Sequence, residues 1–329
     1  MTLRFERQPA GSTSLAAPAG VLGERLFQAG PDHRSGLPTL LGPTAPVAER
    51  WLTDAPVQAG RHGLIAFRRV GAATGGWLLG RAQLDIAAAG TDLQAVTRQV
   101  YADLFALLRT HGDLHLLKLW NYLPHINAVR DGLEVYRHFN VGRQQAFLDA
   151  GQRAFEGAPA ACALGHHGGP LTLEFLAGPV APRPVENPRQ VSAYHYPASY
   201  GPRSPTFSRA ALVALAPAAD TLFISGTASI VGHASLHPGD VVRQTEETLR
   251  NLHAVLDAAH ARTRARFDLG HMDLTIYLRD PADRAAVQAV LARTLDAASP
   301  GLRDALWLHA DVCRGELLVE IEAQGSAPR

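Results

Sequence analysis

The sequence predicts an α+β protein built from two similar halves, each a mixed sheet with helices packed on one face, the halves facing each other across a cleft. Three observations predict it. Apolar runs of strand length alternate with longer amphipathic runs of helical period. A strand-and-helix rhythm occurs once before residue 180 and again after residue 210. A stretch rich in Pro, Tyr and Arg lies between the two occurrences. The chain has 329 residues, 47% hydrophobic and 19% charged, which is long enough for one large domain or two of ordinary size. The expected division is 1–180 for the first half with an irregular N-terminal extension, 181–209 for a crossover lining the cleft, and 210–329 for the second half.

Residues 1 to about 60 are rich in Pro, Gly and Ala and weakly periodic, so short strands and loops are expected, which either cover the cleft or extend the first sheet. Residues 64–67 and 77–80 flank a glycine-containing turn and predict a hairpin. Over 91–111, Leu93, Val96, Val100, Leu104, Leu107 and Leu108 recur at helical spacing behind a Thr91-Asp92 cap. Residues 114–120 predict a strand, 132–151 a second helix, and 160–164 and 171–176 a strand pair. In the second half, 210–215 and 221–225 predict strands. Residues 240–260 predict a long helix with Val241, Thr245, Thr248, Leu249, Leu252, Leu256 and Ala259 on one stripe and Asp240 at its start. Residues 272–278 alternate as a strand, Asp280-Pro281 opens a helix through 296, and 306–312 and 317–321 complete the sheet.

Charge and cysteine content exclude several classes. With 31 basic and 30 acidic residues the formal charge is +1, so no net field points to nucleic acid or a membrane surface. Any anion must be held by a few placed arginines. Cys162 and Cys313 are too few for a disulfide framework, the start lacks a signal-peptide pattern, and no apolar run approaches the roughly 18 residues of a membrane helix. A cytoplasmic protein is expected. Of the 15 histidines, His166-His167 adjoin glycines and His233 and His237 stand in an apparent loop, without the ligand set of a zinc site. Residues 71–80 are glycine-rich but lack the Lys-Ser or Lys-Thr of a phosphate loop.

Two polar clusters bear on chemistry. In the crossover, Tyr194, Tyr196 and Tyr200 and the arginines Arg189, Arg203 and Arg209 lie among four prolines that restrict the backbone. One reading is a rigid wall presenting guanidinium forks to carboxylates and phenols to hydroxyls; the other is an ordered connection with exposed arginines. In the second predicted helix, Tyr136, Asn140 and Arg143 are spaced by four and three and share a face. That face suits a small anion, or is simply solvated with Tyr136 packed at its edge. A third feature is a pair of carboxylates, Glu320 and Glu322, in an apolar last strand that sends both side chains to the same side. Glu316 falls in the preceding turn.

The block Ser225-Gly226-Thr227, with Gly239-Asp240, Gln244-Thr245, Asn251-Leu252 and the closing Val319-Glu320-Ile321-Glu322, resembles the RidA/YjgF superfamily. With Leu119-Trp120-Asn121-Tyr122, the segment 136–143, and the stretches 186–196 and 201–208, it resembles the chorismatases over about residues 60–323. The resemblance implies two RidA/YjgF-like halves and an enzyme that removes the enolpyruvyl side chain of chorismate as pyruvate, with no cofactor and no metal. It also implies one of several ring products: a dihydroxycyclohexadiene carboxylate, 3-hydroxybenzoate, or a mixture of 3- and 4-hydroxybenzoate.

Chorismate carries two carboxylates, a ring hydroxyl and an enol ether, and needs fixed cations and one proton donor near the ether's methylene carbon. Arg143 and Arg203 are the candidates for the carboxylates, and Tyr136, Tyr196 and Tyr200 for orienting contacts. Glu320, the first carboxylate of the last strand, is the candidate acid, with Glu322 as a structural partner or exposed residue. Thr227 is taken as a substrate contact beside Gly226. By the resemblance, a small Gly226 and a thiol at Cys313 match hydroxybenzoate-forming members; the bland readings are a backbone requirement for Gly226 and a small core residue for Cys313. The expected product is 3-hydroxybenzoate, alone or with 4-hydroxybenzoate. A chorismate hydrolase, a RidA-like imine deaminase and a non-catalytic small-molecule binder remain open. RidA proteins are typically trimers, yet two halves in one chain favour a monomer.

Overall fold

The computed structural model describes residues 2–10, 20–30, 35–42, 45–72, 75–86 and 90–329. The N-terminal segment contributes β1 (Leu3–Pro9), β2 (Gly20–Phe27), β3 (Thr39–Leu40) and β4 (Val47–Thr53). β1, β4 and β2 form a three-stranded sheet of their own and β3 joins the edge of the second sheet, so of residues 1 to about 60 only 57–60 extend the first sheet. Parts of the expected loops at 11–19, 31–34 and 43–44 lie outside the described residues, as do Ala73 and Thr74 of the expected hairpin turn.

The first half runs β5 (Val57–His62), β6 (Ile65–Val70), β7 (Trp77–Leu84), α1 (Leu93–Thr110), β8 (His115–Pro124), the short β9 (Val129–Arg130) and β10 (Leu133–Glu134), α2 (Val135–Asp149), β11 (Ala160–His166) and β12 (Leu171–Gly178). Its sheet has the order β5-β6-β7-β12-β8-β11, with β8 and β11 parallel and the other pairs antiparallel. The second half runs β13 (Arg183–Val185), β14 (Ala210–Ala216), β15 (Ala219–Thr227), the small hairpin β16 (Ile230–Val231) and β17 (Ala234–Ser235), α3 (Val241–His260), β18 (Asp273–Leu278), α4 (Arg284–Thr294), α5 (Pro300–Arg303), β19 (Leu306–His309) and β20 (Val319–Pro328). Its order is β13-β14-β15-β20-β18-β19, with β3 added at the edge. Here too only the pair at the β19 position, β18 with β19, is parallel. The two sheets therefore repeat one connectivity, strand for strand.

Helices cover one face of each sheet because their apolar stripes need a partner. Leu104, Phe105, Phe139 and Phe147 of α1 and α2 pack with Leu119, Leu173 and Phe175, and Leu252, Val255, Val287 and Leu291 of α3 and α4 pack with Ile276 and Ile321. α1 and α3 are capped as expected: Asp92 accepts from the Ala95 amide at 3.0 Å and Asp240 from the Arg243 amide at 3.0 Å. A third buried cluster draws Trp120 and Cys162 from the first sheet, Phe223 and Tyr277 from the second, and Leu22 and Trp51 from the N-terminal sheet. Where a cleft between the halves was expected, side chains fill this part of the space.

Several boundaries differ from expectation. β20 continues to Pro328, β19 stops at His309, and the helix expected over 280–296 is a 3-10 turn, Pro281–Asp283, followed by α4. The second sheet begins with β13, inside the segment assigned to the crossover, whose remainder holds the 3-10 turns Ala193–His195 and Ala198–Tyr200. No helix among the described residues is long and apolar enough to cross a membrane.

Candidate active site

β20 lies between β15 and β18 and is buried on both faces from Val319 to Gln324, and the period of two puts Glu320 and Glu322 on the same face. Their exposures are only 4% and 6%. The two carboxyls nonetheless meet different surroundings. Lys118 Nζ stands 2.9 Å from Glu322 Oε2, Trp120 Nε1 donates to Glu322 Oε1 at 3.0 Å, and the Tyr277 hydroxyl donates at 3.5 Å. Burial alone would raise the pKa of Glu322, yet Lys118 and Arg25 together hold it below the usual carboxylate value. Burial pushes Glu320 up to about 8, the charge of Glu322 adds to the rise, and Lys118 and Arg209 pull against it. At neutral pH one carboxyl thus keeps its proton while its neighbour two residues on is charged.

Gly226 is what lets Glu320 sit there. A Cβ at this position would overlap the Glu320 carboxyl and come within 3.3 Å of the Cys162 Cβ. Its φ is not in the left-handed region, so the glycine answers a need for space and not a backbone requirement. The preceding Ser225 donates to the Ser208 carbonyl at 2.6 Å and accepts from the Ala161 amide at 2.9 Å, which fastens β15 to β11 and to the end of the crossover. Two amides of α3 hold the flanking loops. Gln244 donates to the Glu316 carbonyl at 2.8 Å and accepts from the Leu318 amide at 2.8 Å, and Asn251 donates to the carbonyls of Ala228 and Ile230 at 3.0 and 2.9 Å. The Gln-Thr and Asn-Leu pairs singled out in the sequence owe their place to these clamps.

A cavity of about 330 Å³ opens at this point, walled by Tyr136, Tyr196, Tyr200, Arg209, Arg314 and Glu320, with Gly226 and Cys313 also in its lining. A recess of about 30 Å³ shares Tyr136, Gly226, Cys313 and Glu320 and reaches Arg143. Arg143 is 1% exposed; its Nη2 donates to Asn140 Oδ1 at 3.0 Å, and its Nε and Nη1 have no hydrogen-bond partner among the described residues. The close contact of α2 with α1 at Gly142, where a Cβ would overlap the Gln94 carbonyl, fixes the depth of this guanidinium. Near the crossover, Arg209 Nη2 donates to the Tyr196 hydroxyl at 2.8 Å and to the Val191 carbonyl at 2.9 Å. Arg314 lies over the Tyr200 ring at 4.0 Å and donates from Nη1 to the His233 carbonyl and Ser235. Burial raises the phenol of Tyr136 and pushes the Cys313 thiol up to about 12, which keeps both neutral.

Of the residues named from sequence, Tyr136, Arg143, Tyr196, Tyr200, Gly226, Cys313 and Glu320 come together here. Arg203 does not: it is exposed on the crossover and outside the lining, because the chain between Gly201 and Pro205 turns its position to solvent. Thr227 is buried outside the lining and donates to the Ser225 carbonyl at 2.9 Å. Arg189 anchors the crossover to α3 through Glu247 at 2.5 Å and Asn251 at 2.7 Å. Glu316 stands in the turn before β20, as expected, and Glu322 is an internal partner rather than exposed. His166 is bonded to the Gly168 carbonyl and His233 lies 3.3 Å from the Tyr200 hydroxyl. Sequence reasoning missed Arg314 and Lys118, and it named Arg209 in the crossover cluster without choosing it for a carboxylate. A lysine inside the apolar run Leu116-Leu117-Lys118-Leu119-Trp120 is a signal of the same kind as Glu320 in its strand.

This arrangement has close counterparts. Residues 49–177 match the family model described as Chorismatase FkbO/Hyg5-like, N-terminal, and 205–325 match the model described as Endoribonuclease L-PSP, in keeping with a RidA/YjgF-like second half. A chorismatase of Streptomyces rapamycinicus is 40% identical over 84% of this chain and 81% of its own length. A chorismatase of Streptomyces hygroscopicus is 37% identical over 97% and 92%, and a 3-hydroxybenzoate synthase of the same organism 37% identical over 86% and 83%. A crystal structure of a chorismatase superimposes with a TM-score of 0.82 at 32% identity, covering 98% of both chains. With the whole length matched in sequence and in fold, the chain belongs to the chorismatase family.

Proposed function

We propose that this chain converts chorismate to pyruvate and 3-hydroxybenzoate, alone or with 4-hydroxybenzoate, at the cavity where the first half, the crossover and the second half meet. The observation that carries the reading is Glu320: a carboxyl kept protonated by burial, on the wall of a cavity whose inner end holds Arg143 with two nitrogens unpartnered among the described residues. Arg143 takes one substrate carboxylate, and Arg209 with Arg314, in place of Arg203, takes the other. Tyr136, Tyr196 and Tyr200 orient the ring and its hydroxyl. Thr227 acts through the backbone it ties rather than by contact.

Glu320 gives its proton to the methylene carbon of the enol ether, and positive charge develops at the ether carbon beside the resulting carboxylate. The ring–oxygen bond then breaks with formation of the pyruvate carbonyl. The neighbouring ring hydroxyl bonds to the vacated ring carbon and returns its proton to Glu320, giving an arene oxide with no water consumed. One epoxide C–O bond then breaks, the carbon that keeps the oxygen loses its hydrogen as a proton, and the oxygen gains a proton to leave the aromatic phenol. The space around Gly226 and the neutral thiol of Cys313 favour this internal route over attack by water. The relatives include a 3-hydroxybenzoate synthase as well as chorismatases, which supports the family of reactions and leaves the product to this local argument.

The test incubates purified protein with chorismate, follows pyruvate through a coupled assay and separates the ring products by chromatography. Hydroxybenzoates are expected. A dihydroxycyclohexadiene carboxylate instead would assign a hydrolase. The absence of pyruvate above background would leave an imine deaminase or a binder.

A further inference from the structure

We propose that Lys118 and Glu322 form a buried positioning pair that keeps the transferable proton on Glu320, so that the first half sets the charge of the acid carried by the second. The inference rests on Glu320 being the proton donor. Lys118 projects from β8 with its side chain 2% exposed, reaches Glu322 Oε2 at 2.9 Å, and also donates to the Ile224 carbonyl at 2.9 Å, two residues before Gly226. Its ammonium is therefore fixed between the two sheets beside both carboxyls. Behind it, Arg25 from the N-terminal sheet lies 4.1 Å over Trp120 and is held by Glu49 at 2.6 Å.

The groups around Glu320 can be enumerated by element. They are Glu322 on β20, Tyr277 opposite Glu320 on β18, Lys118 on β8, Arg209 at the end of the crossover, Cys162 on β11, Cys313 in the loop before β20, and Tyr136 and Arg143 on α2. Burial keeps both thiols and the phenols of Tyr136 and Tyr277 neutral. Of the nearby charges, Lys118 and Glu322 are matched in contact, so their fields largely cancel at Glu320. Desolvation then governs that carboxyl and favours the neutral acid. Remove Glu322 alone and the lysine faces Glu320 uncompensated, which draws the proton off. Remove both and desolvation governs again.

The experiment is the pH profile of kcat/KM for pyruvate release. In Glu322→Gln the alkaline limb is expected to move to lower pH by about one unit or more, the size of shift a close opposite charge produces. In Lys118→Met/Glu322→Gln it returns toward the wild-type position. A purely structural role would lower kcat/KM by one factor at every pH and leave the limb in place, and that result overturns the proposal. Glu320→Gln separates the two readings: near-normal turnover there removes the acid itself, whereas an inactive Glu320→Gln with an unmoved limb in Glu322→Gln removes only the pair. If either pair variant fails to fold, the wild type decides. Its carboxyl-13C glutamate NMR titration, assigned with Glu320→Gln, should show Glu320 protonated and Glu322 ionised at pH 7; both ionised or both protonated refutes the pair.

Discussion

Gly226 and Glu320 compete for the same space, and the smallest possible side chain settles the contest for the carboxyl. Gly226→Ala should push that carboxyl from its place and lower kcat/KM by roughly 10²-fold, as displacements near 1 Å do, with the circular dichroism spectrum unchanged. Activity within twofold of wild type would show that the carboxyl has another seat. Cys313 borders the same space and predicts a change of product: Cys313→Val should keep pyruvate release and shift the ring products toward the dihydroxycyclohexadiene carboxylate, read by chromatography. An unchanged ratio would return Cys313 to the role of a packing residue. At this scale the legible features were those with a period behind them. Helical spacing placed Tyr136 and Arg143 together, and strand alternation paired Glu320 with Glu322. The crossover has no period, so nothing in its spacing tells that Arg203 faces solvent while Arg209 turns inward.

α3 carries no residue that lines the cavity, yet it holds both loops that shape it. Gln244→Ala leaves the Glu316 carbonyl and the Leu318 amide without their clamp, immediately before Glu320. A loss of about 1–3 kcal/mol in urea denaturation is expected from the unsatisfied groups, accompanied by a fall in kcat/KM. A stable variant with full activity would show that the turn holds its own shape. Among the elements, helices with a strong apolar stripe were read to within a few residues: α3 begins one residue after the expected start and ends at the expected His260. Strand ends were read less well for a physical reason. β8 is buried on both faces almost to Pro124, so its second part shows no alternation, and the end of β20 is made of Ala, Gly, Ser and Pro, which carry little strand signal.

Across the whole molecule, Glu320 imposes a cost that varies with pH. Its folded pKa of about 8 lies above the ordinary 4.5, so the native state holds a proton that the unfolded chain has released, and stability falls as pH rises between those values. The slope contributed by this group is roughly 1.4 kcal/mol per pH unit and ends above about pH 8. Glu320→Gln should lack that component, so its denaturation midpoint should gain on wild type from pH 5 to 8 and hold the gain beyond; parallel curves would place the proton elsewhere. The repetition of one connectivity in both sheets was legible as a rhythm of elements. That the sheets share a packed cluster was not, because Lys118 and Trp120 meet their partners Glu322 and Tyr277 from strands far apart in the sequence, and no spacing links them. The contact of Lys118 with Glu322 crosses from one sheet to the other, and it bears on how such a chain can be recombined. Two sheets of identical connectivity look like exchangeable modules, but a chimaera joining the first half of one relative to the second half of another inherits only one partner of this contact unless the parents agree at both positions. Substitutions at 118 and 322 are thereby bound to a shared fate, and swapping halves between relatives should succeed only when the two are carried together.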